Sequence, residues 1–301
     1  MDFCMEYSPI ECFLKHFSLK KHIRKKRLQL SKDDIDKIKC DNIDTIISIG
    51  ENLMEEGLIL PECVKSVYFK GKKLNGLPST LENLILGDDC ECDFANLPMN
   101  LKVLVMWNCD EPLDFLPIGL KSLIIEGKLN VDLLNLPPTL ENLAIKDEHE
   151  TNVILPESLI LLDSCTHFDC DFPKNLKILG IGNDHMSANT GFGWEAKIQE
   201  IPDTVEELSM CSMRYISLKN IPEQLKKLSL GLKFDSGNVE GDEEDFNEMF
   251  DIDENEFEKY DFSPYQHIFK NLNEQKVIFW IINNFGSVPK NLTEIETYTL
   301  L

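Results

Sequence analysis

The chain lacks a long apolar run, which argues against a membrane-spanning helix. Its longest uninterrupted apolar stretch is Val277–Ile282, whereas a span needs about 20 residues. The first residues, Met1–Glu6, carry acids where a secretion signal carries bases, and no long apolar segment follows them. The sequence therefore predicts an intracellular protein, cytoplasmic rather than nuclear, without a membrane contact.

Disulfide and metal patterns are also missing. The 10 cysteines have no framework spacing, so we expect reduced thiols. Cys165, His167 and Cys170 are three potential ligands close together, but a structural zinc site needs four with recognisable pairing. No metal site is predicted.

Catalytic motifs are equally absent. The sequence has no Gly-rich phosphate loop, no Gly-x-Ser-x-Gly and no His-Glu-x-x-His. Its 6 histidines are scattered, so no nucleophile is paired with a base by spacing. The expectation is a protein that is not an enzyme, with no cofactor and no small-molecule substrate.

Basic residues are scarce relative to acids. The chain has 301 residues, with 30 Lys and Arg against 53 Asp and Glu and a formal net charge of −23. Phosphate contacts need clustered bases, so this balance argues against nucleic acid and anionic lipid as partners. With 43% hydrophobic residues, the chain can bury the core of one or two domains.

What the chain does have is an internal repeat. An apolar residue and a proline are followed by apolar residues three, six and eight positions after the proline. Eight units match this template in full and two, at Pro156 and Pro289, match it without the last apolar residue; the first nine prolines are 17 to 29 residues apart. The ten prolines are Pro61, Pro78, Pro98, Pro117, Pro137, Pro156, Pro173, Pro202, Pro222 and the detached Pro289.

The repeat predicts stacked parallel strands. Its apolar positions six and eight alternate with period two, which indicates a short strand with one buried face. A unit of about 20 residues is too short for a strand, a long helix and two turns. We therefore expect the return path of each unit to be extended or a brief 3₁₀ turn, and neighbouring units to bury each other's apolar faces.

The Leu-x-x-Leu-x-Leu core with a Leu-Pro in each unit resembles leucine-rich repeats. It is similar to the short repeats of bacterial effector proteins and to FNIP-type repeats. The resemblance implies a repeat solenoid, a leucine-rich-repeat curved parallel β-sheet with a short 3₁₀ or extended convex side and a helical N-terminal cap. The Asn usual three residues after the last strand Leu is mostly replaced, with only Cys109 conforming, so the Asn ladder of such repeats is expected to be largely missing.

The repeats divide the chain into four predicted regions. Residues 1–57 form a helical N-terminal cap, with one helix from Pro9 to Gln29 and a short one from Ser31; residues 58–232 form the solenoid of about nine rungs. Residues 233–270 are an acidic, flexible insertion, and residues 271–301 are a C-terminal cap with one last repeat. An alternative for residues 9–50 is an adaptor that recruits a ubiquitin ligase, and the basic run at 20–27 is a nuclear-import signal or a solvated helix end.

Two insertions offer further contact residues. The loop after Ile181 carries Phe192 and Trp194, which either contact a partner or fold back onto a rung. The tract Glu240–Asp261 has twelve acidic residues and one lysine, interleaved with aromatics. Such a tract suits a basic partner, or its aromatics pack on the rod.

The concave face of the predicted sheet is the main candidate site. The residues seven positions after each proline run Tyr68, Ile85, Val105, Ile124 and Ala144 on adjacent rungs, a set that we call the concave row. Val103 and Trp107 lie beside it. An apolar row where a solvated face would be polar marks a contact surface, unless the chain's own segments cover it. Lys70, Glu126 and Lys146 form its expected charged rim.

These features predict a non-catalytic interaction module that binds a partner protein on its concave face. One alternative is the ubiquitin-ligase adaptor. Another resembles acidic leucine-rich nuclear proteins, in which an acidic tract such as residues 240–261 binds basic proteins, histones among them. The partner-binding residues predicted across both insertions and the concave face are Tyr68, Ile85, Val103, Val105, Trp107, Ile124, Phe192 and Trp194.

Overall fold

The computed structural model describes residues 27–29, 46–49, 60–69, 76–87, 90, 94–146, 152–164, 171–181, 200–213, 218–232, 250 and 252–299. The chain forms two compact units, Met1–Leu159 and Ile160–Leu301. Within each unit, every described strand pairs in parallel with the strand that follows it in the sequence. The predicted solenoid of stacked parallel strands is confirmed.

Seven described strands build the sheet of the first unit. In β3 to β7, the apolar residues six and eight positions after the proline are buried, as the period-two pattern predicts. The strands are β1 (Arg27–Gln29), β2 (Ile46–Ile49), β3 (Ser66–Phe69), β4 (Asn83–Leu86), β5 (Val103–Met106), β6 (Ser122–Ile125) and β7 (Asn142–Ile145).

The sheet begins earlier than the repeat template. β1 occupies residues predicted to end the first helix, so that part of the N-terminal prediction is wrong. The reason is pairing: Arg27 lies opposite Ile46 and Gln29 opposite Ser48, and a parallel ladder holds the backbone extended. The rest of the predicted N-terminal helices, and the basic run up to Lys26, lie outside the described residues.

The second unit continues the same plan and adds helices. β12 pairs with β11 although the paired residues lie 67 positions apart in the sequence. The repeat at Pro289 is therefore a rung of this sheet, as the template predicts. The elements are β8 (Leu161–Ser164), β9 (Ile178–Ile181), β10 (Glu207–Met213), β11 (Lys227–Leu232), α1 (Glu254–Phe257), a 3₁₀ turn (Ser263–Tyr265), α2 (Leu272–Phe285) and β12 (Glu294–Thr299).

The Leu-Pro signature of every repeat is a turn. In all ten units the N–H of the residue three positions after the proline donates to the proline carbonyl, at 2.9–3.2 Å. That residue is Leu or Val and at most 4% exposed. The proline fixes the backbone before the turn, and the turn aims the first apolar side chain into the core.

In four units, a hydroxyl in this turn joins the rung to the one before. Thr139, two positions after its proline, donates to the carbonyls of Ile118 and Leu120 on the preceding rung, the latter at 3.1 Å. Thr204 donates to the carbonyls of Lys174 and Leu176 at 2.9 and 2.8 Å. Backbone carbonyls that the strand ladder does not use are satisfied in this way. Thr80 and Ser158 make the equivalent bonds.

Among the described residues of the first unit, the return path is extended and includes a short 3₁₀ turn, Phe94–Asn96, as predicted. Isolated parallel bridges join Cys109 to Leu129 and Leu133 to Val153. The Asn ladder expected to be missing is replaced by one at neighbouring positions, where an amide on one rung donates to a carboxylate on the rung before. Its members are Asn130 to Asp110, Asn135 to Asp114 at 2.8 Å and Asn152 to Asp132 at 3.0 Å.

Helix α2 has a well-defined capping interaction at its start and a left-handed glycine at its end. Asn271 accepts a hydrogen bond from the N–H of Glu274 at 2.9 Å and donates to its carboxylate at 3.0 Å, a capping box. Gly286 ends the helix in the left-handed region with φ 79°. Between these ends, Val277 to Ile281 are buried.

Candidate interaction surfaces

The concave row forms as predicted in position. The strand register places Tyr68 opposite Ile85, Ile85 opposite Val105, and Val105 opposite Ile124, and Ala144 follows. Neighbouring parallel strands are about 4.8 Å apart, so these side chains lie side by side.

Exposure divides the row into two parts. Val105 is 8% exposed, Ile124 1% and Ala144 0%, whereas Tyr68 and Ile85 are half-buried. A buried side chain offers no surface to a partner. Val105 and Ile124 therefore pack inside the protein and are not part of the accessible concave surface. The accessible part is smaller than the sequence suggested and consists of Tyr68, Ile85, Val103 and Trp107.

The predicted charged rim is also different. Lys146 is 8% exposed and Glu126 is half-buried, so neither is a freely solvated charge at the border of the row. Lys70, together with Phe192 and Trp194, lies outside the described residues. Polar groups nevertheless border the apolar part. Asn83 donates to the Ser66 hydroxyl and Asn142 to the Ser122 hydroxyl, both at 2.9 Å.

Charges gather instead in a row four positions after the proline, which we call the ion-pair row. In the first unit, Glu82 lies between Lys102 and Lys65, at 2.6 and 3.2 Å. The side-chain hydrogen bond from Lys102, together with Lys65, lowers the pKa of Glu82. Farther along, Lys121 pairs with Glu141 at 2.6 Å.

The second unit repeats this arrangement. Glu206 lies between Lys226 and Lys177, at 2.6 and 3.1 Å, and the hydrogen bonds from the two lysines lower its pKa. Each of the five lysines in this row pairs with a glutamate on a neighbouring rung, and two of the three glutamates are each shared by two lysines. The ion-pair row was missed in the sequence because the template considers only apolar positions.

The face of the second unit's sheet is polar where the first unit's is apolar. Ser229 donates to the Glu296 carboxylate at 3.3 Å, and Lys227 pairs with the same carboxylate at 2.8 Å. Burial acts to raise the pKa of Glu296, but the hydrogen bond and the charge of Lys227, together with the hydrogen bonds from Glu294 and Ser229, lower that pKa overall. The predicted change to small polar residues along the solenoid is present at Gly180, Ser209 and Ser229.

A second apolar surface lies on the turn side of the first unit. Five large apolar side chains, between 46% and 67% exposed, occupy the outer ends of successive rungs. A signal was available: other repeats carry Glu62, Lys174 or Asp203 just after the proline, whereas Pro98 and Pro117 are followed by Met99 and Ile118. We call this set the turn-side stripe; its members are Met99, Phe115, Ile118, Leu134 and Ile154.

The described part of the acidic tract packs against α2. Phe257 lies 5.5 Å from Phe279 between ring centroids, and Phe250 lies 5.6 Å from Trp280, both edge-to-face. Residues 252–261 are therefore held by their aromatic side chains, while their carboxylates face solvent. The exposed acids are Asp253, Glu254, Glu256, Glu258 and Asp261.

The thiols differ from one another. Cys63 is disulfide-bonded, so the expectation of uniformly reduced thiols is wrong for this residue. Cys109 is buried, and desolvation raises its pKa to about 11. Cys165, His167 and Cys170 lie outside the described residues, and no cluster of metal-ligating side chains occurs within the described ranges. In the same ranges, no helix is long and apolar enough to cross a membrane.

Comparison with known proteins gives the following. No family model and no curated protein matches the chain. Among solved structures, CroV588, described as a novel circular leucine-rich-repeat protein, is 20% identical with a TM-score of 0.49, covering 69% of this chain and 37% of its own. YopM from Yersinia enterocolitica WA-314 is 18% identical with a TM-score of 0.30, covering 63% of this chain and 55% of its own. The chain thus spans less than two thirds of either protein.

Proposed function

We propose that the protein is a non-catalytic interaction module that binds a partner protein on the concave face of its first unit. The observation that carries this proposal is the group Tyr68, Ile85, Val103 and Trp107, half-exposed on three adjacent rungs. Aromatic and aliphatic side chains that are partly open in the free protein gain burial when a partner covers them.

The surroundings favour a protein over a nucleic acid. Next to these residues, Lys65 and Lys102 of the ion-pair row both pair with Glu82, and the chain as a whole has a net charge of −23. A phosphate backbone needs unpaired Lys and Arg. The half-buried Asn83 amide beside the apolar group can exchange hydrogen bonds with a peptide backbone, which suits a protein surface with a polar border.

A crosslinking pull-down with quantitative mass spectrometry tests the proposal. A partner recovered with the wild type should be depleted at least tenfold with a Tyr68→Ala, Trp107→Ala variant, because central aromatics dominate binding energy. The matched control is Phe115→Ser, which removes an aromatic from the turn side and should retain that partner. Equal recovery with the concave variant would refute the concave site.

A second candidate rests on the acidic tract. Its five exposed carboxylates are presented on a folded segment, which suits a basic protein such as a histone. The affinity for purified histone should fall steeply between about 50 and 200 mM salt, because salt screens the attraction between exposed carboxylates and basic side chains. Glu254→Gln with Glu256→Gln should reduce it, whereas Trp107→Ala should not.

The remaining alternatives concern regions without described side chains. The ubiquitin-ligase adaptor would use residues 9–50, of which only the backbones of β1 and β2 are described. A cytoplasmic location stays a proposal, and fractionation of a tagged full chain tests it.

A further inference from the structure

The turn-side stripe is a continuous surface within the first unit. Gly119, next to Ile118, lies beside Met99: a side-chain carbon placed on Gly119 would be 3.6 Å from the Met99 carbonyl oxygen. At the other end of the stripe, the bridge between Leu133 and Val153 sets their chain neighbours, Leu134 and Ile154, side by side.

Phe115 connects these two pairs. It lies three residues before Ile118 in the same rung, and the hydrogen bond from Asn135 to Asp114 brings the next rung alongside. Burying one large apolar side chain removes on the order of 100 Å² from water, so five that are half to two-thirds exposed present roughly 300 Å² of apolar area. That is the size of the largest apolar patch on a typical folded monomer, which is often a functional contact surface.

The charge beside the stripe is negative. Exposed acids of the same outer segments are Asp110, Glu111, Asp114 and Asp132. Three of them accept hydrogen bonds from asparagine amides, which are uncharged, so the carboxylates keep their negative charge. This acidic border repels a second copy of the chain, whose net charge is also −23, and attracts a basic segment.

The length of the stripe also restricts its occupant. Met99 to Ile154 cover four successive rungs, and at about 4.8 Å between rungs the stripe is roughly 15 Å long. An α-helix rises 1.5 Å per residue, so about ten residues, nearly three turns, match this length. Apolar residues on one side of such a helix would cover the stripe, and lysines or arginines at its edges would meet the carboxylates.

From this geometry we propose that the turn-side stripe is a second binding surface, separate from the concave row, for a basic amphipathic helix of a partner protein. Phe115 and Ile118, at its centre, are the anchors. Asp114 and Asp132 supply the charge that selects a basic segment.

The test uses the full chain and a defined probe, a 14-residue amphipathic Lys/Leu peptide with a fluorescent label and a photo-crosslinker. A Glu/Leu peptide of the same pattern is the control probe. Anisotropy should show binding of the Lys/Leu peptide alone. Phe115→Ser with Ile118→Ser should weaken it at least tenfold, and Asp114→Asn with Asp132→Asn should weaken it and flatten its salt dependence.

Two matched variants separate this site from the others. Trp107→Ala, on the concave side, and Glu254→Gln with Glu256→Gln, in the acidic tract, should both bind the Lys/Leu peptide like the wild type. Crosslinks should map to the turn-side segments at residues 98–100, 110–118, 130–135 and 152–154, and not to the strands β5, β6 and β7. The substituted stripe residues are exposed, so the variants should melt like the wild type.

Three results would overturn the proposal. The first is unchanged peptide binding by the Phe115→Ser, Ile118→Ser variant. The second is crosslinks that map to residues 252–261 or to the concave row. The third is a wild-type chain that self-associates in sedimentation while the stripe variant stays monomeric, which would assign the stripe to a contact between copies. If no partner binds the concave face but the wild-type chain still binds the Lys/Leu peptide, the proposed function is refuted and the turn-side proposal stands.

Discussion

Gly127 has no room for a side chain. It follows β6 and lies against the preceding rung, where a side-chain carbon would be 2.3 Å from the Trp107 carbonyl oxygen and 2.5 Å from the Asn108 side-chain oxygen. Gly119, one rung turn away, has only the Met99 carbonyl oxygen at 3.6 Å, an ordinary contact. Alanine at these two glycines therefore makes a matched pair.

The two alanine substitutions should change the free energy of unfolding in opposite directions. Gly127→Ala must move the backbone of Trp107 by roughly 1 Å, and overpacking of this kind costs about 1–3 kcal/mol. If Asn108 turns away as well, its 3.0 Å hydrogen bond from the Lys128 N–H is lost, which adds about 1 kcal/mol. Gly119→Ala restricts the unfolded chain without a clash, and should raise the free energy of unfolding by about 0.4–1 kcal/mol.

Urea denaturation followed by circular dichroism measures the difference. With a slope of about 2–3 kcal/mol per M, the midpoints of the two variants should differ by roughly 1 M, Gly127→Ala being the lower. If the two variants unfold at the same urea concentration, or if Gly127→Ala is the more stable, the close approach of neighbouring rungs is not what fixes glycine at this position.

Three further predictions follow from the rows of polar groups and the buried thiol. The pKa values of Glu82 and Glu206 are lowered in the folded chain. Their ionised carboxylates therefore contribute to the free energy of unfolding above the ordinary carboxyl pKa of 4.5, and this contribution is lost as pH falls through the folded pKa values. The free energy of unfolding should fall on acidification below about pH 4.5, and it should fall less in a variant with both residues changed to Gln. Thr139→Val should lower the free energy of unfolding by about 1 kcal/mol, because two backbone carbonyls lose their donor; an unchanged urea midpoint would contradict this. At pH 8, iodoacetamide should label half-exposed Cys90 well before Cys109, as peptide mapping would show, because burial raises the pKa of Cys109 to about 11; equal rates would mean that the thiol of Cys109 is accessible.

The fold could be predicted from the sequence because each rung repeats the same local sequence pattern. A proline followed three positions later by a leucine specifies the turn, and the alternation that follows specifies the strand. The template could not find β1, since Arg27–Gln29 has no such proline and becomes a strand only by pairing with β2.

The site was less accessible to sequence reasoning. Concave-row side chains point away from the core in the sequence pattern. How exposed each one is depends on the neighbouring rungs and on the rest of the chain, which cover some positions more than others. Ile124 is buried, whereas Ile85 is only half-buried. Likewise, Phe257 looked like part of an acidic, flexible tract until its contact with Phe279 showed how a distant helix holds it. Both differences come from contacts between residues far apart in the sequence.

The return of β12 to the ladder has a consequence for how this chain can vary. Neighbouring rungs are usually about 20 residues apart, yet Lys226 and Thr293 pair across 67. The entropy of closing a flexible loop rises only with the logarithm of its length, so this enlargement costs about 1 kcal/mol, which one rung's buried leucines offset. Outside α2, whose apolar side chains are buried, the connection between β11 and β12 can thus be lengthened while the strands on either side keep their register.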